Sequence, residues 1–151
     1  MSTPVALARS FLFVPGSRPE RFAKALASGA GCVILDLEDA VPMEQKGAAR
    51  DHLADRLPGF DKEQLARTLV RINAADTAWH AADLRLLAEW IPKGLAGVML
   101  PKSEAASALD AVAAVLGPAA TLVPLVEPLT GLEAVGLLAC EPQVARLAFG
   151  H

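Results

Sequence analysis

The stretch Cys32-Val33-Ile34-Leu35-Asp36-Leu37-Glu38-Asp39 decides how the rest of the chain is read. Its apolar opening suits a parallel strand covered on both faces. Its carboxylates arrive together at the carboxyl end, just before Ala40-Val41-Pro42. Alternation places Ile34, Asp36 and Glu38 on one face and Val33, Leu35 and Leu37 on the other. Buried carboxylates are costly unless they are paired or bind a metal. Two explanations compete at this point. In the structural one, backbone donors satisfy Asp36 and Asp39 caps the next helix. In the functional one, the acids belong to a site.

Working outward, the same unit recurs. Ser10 to Gly16 reads as a first strand ending in a Pro-Gly turn, and Pro19 opens a helix that runs to Ser28 and stops near Gly29. After the central strand, a helix carries Lys46 and Arg50 to about Leu57 and is closed by Pro58-Gly59. Leu69 to Asn73, Gly97 to Lys102, Thr121 to Glu127 and Arg146 to Gly150 read as further strands. Asp83 to Trp90, Ala105 to Leu116 and Leu132 to Ala139 read as the helices between them. Strict alternation with short connections implies parallel strands and right-handed crossovers. An open doubly wound α/β sheet and a (β/α)8 barrel both fit. A typical barrel takes roughly 250 residues, so this chain would supply about its first six strands.

Ligands of both architectures sit at the carboxyl ends of the strands. The polar residues collected there are Asp36, Glu38, Asp39, Arg71, Asn73, Lys102 and Glu127, and each ends an apolar run. One such residue is easily a cap; their recurrence from strand to strand is harder to explain as solvated surface. Acids with one Arg and one Lys suit a hard divalent cation together with an anionic substrate. Oxygen ligands favour Mg2+ or Mn2+ over zinc. His52 and His80 read as surface residues, and His151 ends the chain.

The totals are consistent with this. The 151 residues are enough for one domain with a real core, 53% are apolar, and the formal net charge of -3 carries no nucleic-acid footprint. Cys32 and Cys140 lie far apart and read as structural thiols without a disulfide. No run of signal-peptide type and no segment of membrane-spanning length is visible, so a soluble cytoplasmic protein with no membrane partner is the expectation. Pro15-Gly16-Ser17 lacks the dinucleotide fingerprint, and no P-loop is present. The basic segment from Arg18 to Lys24 reads as a solvated helix face or, at the rim of a site, as a holder of phosphates.

Taken together, Arg9-Ser10-Phe11-Leu12-Phe13-Val14-Pro15-Gly16, Val33 to Val41, and the following Lys46 and Arg50 resemble the citrate lyase β-subunit-like group. That group belongs to the HpcH/HpaI aldolase/citrate lyase family, alongside malyl-CoA and citramalyl-CoA lyases. Val70-Arg71-Ile72-Asn73, Gly97 to Lys102, Val126-Glu127 and Leu147-Ala148-Phe149-Gly150 continue the match in order, over essentially the whole chain. The resemblance implies a (β/α)8 TIM barrel, with residues 1–151 as the amino-terminal part of a single catalytic domain in a homo-oligomer, a trimer above all. It implies a Mg2+-dependent carbon–carbon lyase acting on an acyl-CoA thioester of citryl, malyl or citramalyl type, with a 2-oxo acid as partner. A metal-dependent pyruvate aldolase and a non-catalytic fragment are the alternatives.

By the same resemblance, Arg71 would grip the oxo-acid carboxylate and Glu127 would be a metal ligand that also meets the substrate. Glu38 and Asp39 would orient metal-bound water, and Arg18 and Lys24 would contact coenzyme A phosphates. The family's second metal-ligating Asp would follow Phe149-Gly150-His151, and its proton-donating Asp would come from a later segment. The expectation is therefore an incomplete barrel that binds Mg2+ poorly by itself.

Overall fold

The computed structural model describes residues 3–150. Six parallel strands are hydrogen-bonded in chain order. They are β1 Phe11–Pro15, β2 Cys32–Asp36, β3 Thr68–Arg71, β4 Gly97–Leu100, β5 Thr121–Val126 and β6 Ala148–Phe149. The helices are α1 Pro4–Leu7, α2 Phe22–Leu26, α3 Lys46–Arg56, α4 Lys62–Ala66, α5 His80–Trp90, α6 Ala106–Leu116, α7 Leu129–Glu133 and α8 Val135–Ala139. Because neighbouring strands are consecutive and parallel, every connection returns over the same side of the sheet. The sheet curls into a half-barrel with its helices outside, and β1 and β6 stand at its two ends.

The strands are buried on both faces, and each face has its own apolar cluster. Val33, Leu35, Leu37, Val70, Ile72, Val98 and Leu122 pack outward against Leu53, Leu87, Leu109 and Leu138 from the helices. Cys32, Ile34, Leu69, Met99, Val123 and Leu125 pack inward with Val5 and Ala8. Helix α1 therefore plugs the amino ends of the strands. Arg146 ties it there, donating to the carbonyls of Ala6 and Ala8 at 2.8 Å each. Those carbonyls lie at the helix end, where intrahelical partners run out. The Arg146 guanidinium also lies 5.1 Å from the Phe11 ring centroid on β1, so residues near both ends of the sheet meet at this plug.

Several expected elements differ in extent. β3 ends at Arg71 and β4 at Leu100, so Asn73 and Lys102 are loop residues. The helix expected over 132–139 is two short helices that break at Ala134. Gly131 and Gly136 weaken the helical tendency there. Gly131 also packs so closely that a Cβ would lie 2.3 Å from the Ser103 carbonyl oxygen. Helix α4, absent from the sequence reading, starts at a reciprocal capping box between Asp61 and Gln64. The histidines read as surface residues are half-buried: His52 Nδ1 lies 3.2 Å from the Gly16 carbonyl oxygen and His80 Nδ1 2.8 Å from that of Asn73. Both cysteines are free, but only Cys32 is buried, so the structural reading does not extend to the exposed Cys140.

Candidate active site at the carboxyl ends of the strands

The register of β2 on β3 creates the centre of the site. Asp36 and Arg71 are partners at the last rung of that pair and share the inner face. Their side chains form a two-pronged ion pair: Arg71 Nε donates to Asp36 Oδ1 at 2.7 Å and Nη2 to Oδ2 at 2.6 Å. Asp36 is fully buried and also accepts the backbone N–H groups of Glu38 (2.9 Å) and Ala40 (3.1 Å). Backbone donors thus satisfy Asp36, as the structural explanation expects, and it has a charged partner besides.

Glu38 lies just past β2 and is buried against the same arginine. Its Oε2 stands 3.2 Å from Arg71 Nη1, at an angle that leaves this oxygen without a hydrogen bond. Burial pushes the Glu38 carboxyl above its ordinary pKa; Arg71 pulls it down, and Asp39 raises it further. Asp39 is exposed, with Oδ2 3.9 Å from Arg71 Nη1. Burial alone would weaken the charge of Arg71, but Asp36 and then Glu38 and Asp39 outweigh it and hold the guanidinium firmly protonated. The ring centroid of Phe13, from β1, lies 5.0 Å from the guanidinium carbon.

The loop carrying these acids is held from behind. Lys46, at the start of α3, donates Nζ to the carbonyls of Leu37 (2.8 Å) and Glu38 (2.5 Å). Burial lowers the pKa of this lysine, although Glu38, Asp36, Asp39 and Asp83 pull it back up. A second buried network fixes the segment after β3. Asp83 on α5 accepts from Arg50 Nε (2.8 Å), from Asn73 N (2.9 Å) and from Asn73 Nδ2 (2.7 Å). Asn73 is thus part of the framework that places the end of β3.

Glu127 follows β5 at the same end of the half-barrel. Its Oε2 accepts the backbone N–H of Lys102 at 2.7 Å. Lys102 has φ 50, a left-handed conformation that a non-glycine residue rarely adopts and that turns this N–H toward the carboxylate. Its side chain bridges toward the other acid, with Nζ 3.9 Å from Glu38 Oε1. At the end of β6, a Cβ on Gly150 would stand 3.4 Å from Glu127 Oε1 and 3.1 Å from its Cγ. Glycine therefore leaves room beside that oxygen.

The donor set limits the kind of cation that it could hold. Among the described residues, no three of His, Cys, Asp and Glu cluster as a metal cage. The gathering of acids expected from the sequence is divided: Asp36 is bound to Arg71, and Glu38 stands between Arg71 and Lys102. A hard cation such as Mg2+ takes only one or two carboxylates and keeps waters and substrate oxygens. One carboxylate oxygen of Glu127 with open space beside it fits such an ion as a single ligand. The set does not fit a closed N/S site.

The structure thus brings together Arg71, Glu38 and Asp39, and links them to Glu127 through Lys102. Arg18 and Lys24 do not join this group. Arg18 pairs with Glu20 at 2.7 Å on the exposed segment after β1, and Lys24 is exposed on α2. The sequence reading assigned no site role to Phe13 or Lys46. Phe13 could have been found from its alternation with Phe11; Lys46 carried no local signal.

Comparison with known proteins shows what the chain as a whole is similar to. The family model for HpcH/HpaI aldolase/citrate lyase matches residues 9–150. A citrate lyase subunit beta-like protein of Mycobacterium tuberculosis is 53% identical over 97 residues, covering 64% of this chain and 32% of the relative. A (3S)-malyl-CoA thioesterase of Cereibacter sphaeroides is 34% identical over 142 residues, covering 94% of this chain and 48% of the relative. The crystal structure of the M. tuberculosis protein CitE in complex with magnesium, acetoacetate and coenzyme A superposes with a TM-score of 0.78 at 40% identity, covering 96% of this chain and 49% of that one. The chain therefore spans half or less of the length of these three proteins. With the half-barrel and the match over residues 9–150 agreeing, the chain belongs to the HpcH/HpaI aldolase/citrate lyase family.

Proposed function

We propose that this chain is the amino-terminal part of a TIM-barrel carbon–carbon lyase that cleaves a 3-hydroxy-acyl-CoA of malyl, citramalyl or citryl type into a shorter acyl-CoA and a 2-oxo acid. The observation that carries the reading is the continuous rim from Asp36 through Arg71, Glu38 and Lys102 to Glu127. It offers a fixed guanidinium for a carboxylate and an oxygen ligand for a hard cation at one end of the sheet. The magnesium, acetoacetate and coenzyme A bound by the CitE relative suit the same chemistry. Cytoplasmic location and a homotrimer belong to this reading.

Each residue then has a task. Arg71 binds the oxo-acid carboxylate and stabilises charge that develops on it. Glu127 would hold the cation, with Lys102 N–H keeping its Oε2 in place. Glu38 and Asp39 accept hydrogen bonds from water beside the cation. When bound, Mg2+ supplies Lewis-acid polarisation of the oxo oxygen and a template for the substrate. Arg18 and Lys24, both exposed on the segment after β1, pair with the phosphates of coenzyme A.

The test is cleavage of malyl-, citramalyl- and citryl-CoA by the purified protein with Mg2+, following acyl-CoA, free coenzyme A and 2-oxo acid separately. Appearance of the 2-oxo acid with a shorter acyl-CoA supports a lyase; free coenzyme A with the hydroxy acid intact points to thioester hydrolysis instead. Glu127→Gln is expected to weaken Mg2+ binding and abolish turnover. Arg71→Lys is expected to lower 2-oxo acid affinity by about a hundredfold, because a point charge cannot replace a planar fork. Unchanged values in both variants would remove the assignment.

A further inference from the structure

Two of the groups holding Arg71 have no place in the roles above. Asp36 takes the Nε–Nη2 edge of the guanidinium at 2.7 and 2.6 Å, and Phe13 lies 5.0 Å from its carbon. We propose that Asp36 and Phe13 are positioning residues that lock Arg71 so that Nη1 is offered to the substrate carboxylate, and that Glu38 holds that place until the carboxylate displaces it. The inference deepens the proposed function and rests on its assignment of Arg71.

A free arginine side chain has many rotamers, and binding to it loses that freedom. Here it is removed in advance. Asp36 cannot turn, because both oxygens also accept backbone N–H groups. The two-pronged pair fixes the guanidinium in its plane, and the Phe13 ring limits its tilt. Nη1 remains, facing a Glu38 oxygen at 3.2 Å in poor alignment. A substrate carboxylate aligned with Nη1 would make the hydrogen bond that Glu38 does not make. Glu38 has somewhere to go, since Lys102 Nζ already stands 3.9 Å from its other oxygen. A purely structural pairing of Asp36 with Arg71 would leave Phe13 unexplained. Phe13 is 42% exposed and lies at the mouth of the inner face instead of in the core.

The experiment titrates pyruvate in the presence of Mg2+ into the protein and its Arg71→Lys, Asp36→Asn, Phe13→Leu and Glu38→Gln variants. Mg2+ alone is titrated as a second readout. Asp36→Asn is expected to weaken pyruvate binding about tenfold and Phe13→Leu about threefold, with Mg2+ binding unchanged. Glu38→Gln is expected to tighten pyruvate binding, an effect that a merely structural role would not produce. If Arg71→Lys weakens binding while Phe13→Leu and Asp36→Asn bind as the parent does, the positioning role falls and the proposed function stands. If Arg71→Lys leaves binding intact, both fall. Should Asp36→Asn fail to fold, Phe13→Leu decides, because its ring is substantially exposed.

Discussion

The inner face of the half-barrel has two ends built from the same strands, and they meet opposite demands. At the amino ends, Cys32, Ile34 and Leu69 close on Val5 of α1 and on Ala8, in an apolar cluster that continues through Met99 and Val123. A few residues further along, the same face carries Asp36, Arg71 and, after β5, Glu127. The amino end gains stability from apolar area removed from water and from a helix tied over it. The carboxyl end gives some of that up: it buries ionised groups that are worth little to folding compared with apolar packing. Position along a strand, and not the strand itself, separates framework from site. Substitutions at the two ends should therefore break different properties.

The largest effect on folding belongs to the amino end. Gly97 opens β4 opposite Thr121. A Cβ there would lie 1.9 Å from the Thr121 carbonyl oxygen and 2.7 Å from its carbon, both backbone atoms that cannot turn aside. Gly97→Ala is expected to destabilise the fold by about 3 kcal/mol, measured by denaturant unfolding. The same alanine at Gly47, where nothing lies within 4 Å, should be tolerated or mildly stabilising in its helix. Equal losses at both positions would show that strand proximity is not what requires the glycine.

A smaller effect is expected at the plug. Arg146→Ala removes two charge-assisted hydrogen bonds to Ala6 and Ala8 and the stacking on Phe11. The loss should be about 2 kcal/mol, concentrated at α1. Hydrogen exchange should show the amides of residues 5–8 opening first while β2 and β3 keep their protection. Uniform loosening along β2 and β3 would mean that the two ends are one cooperative unit.

The unequal legibility of the two ends in the sequence has the same physical origin. Every strand and the inner alternation of Ile34 with Asp36 could be read, because both-faces burial writes apolar runs and strand ends write polar residues. The parallel order followed from the alternation of element types. The Asp36–Arg71 pair could not be read, since it depends on the register of β2 on β3 and not on any local pattern. Lys46 illustrates the same gap: its partners are carbonyls of Leu37 and Glu38 in another element, and carbonyl acceptors have no sequence signature. Helix α1 as a plug was equally hidden, because four residues carry no period. The capping box of α4 was legible and marks a helix that local chemistry alone would have supplied.

The smallest predicted effect tests whether the carboxyl end gives up stability for its charges. Burial holds the Glu38 carboxyl above its ordinary pKa, with Arg71 only partly compensating. A carboxyl whose folded pKa is raised contributes stability that is fully present below its unfolded value and is lost as pH rises through the folded value. Glu38→Gln cannot titrate, so it lacks this loss. Its stability relative to the parent should therefore improve as pH is raised from about 4 to about 7. The attraction of the ionised carboxylate to Arg71 is already contained in its net raised pKa, so it does not reverse that slope. Unfolding of both proteins by denaturant across this range is the measurement. A relative stability of the variant that stays constant, or falls toward pH 7, would mean that Arg71 and Lys102 fully offset the burial of Glu38, and the carboxyl end would then be as well stabilised as the amino end.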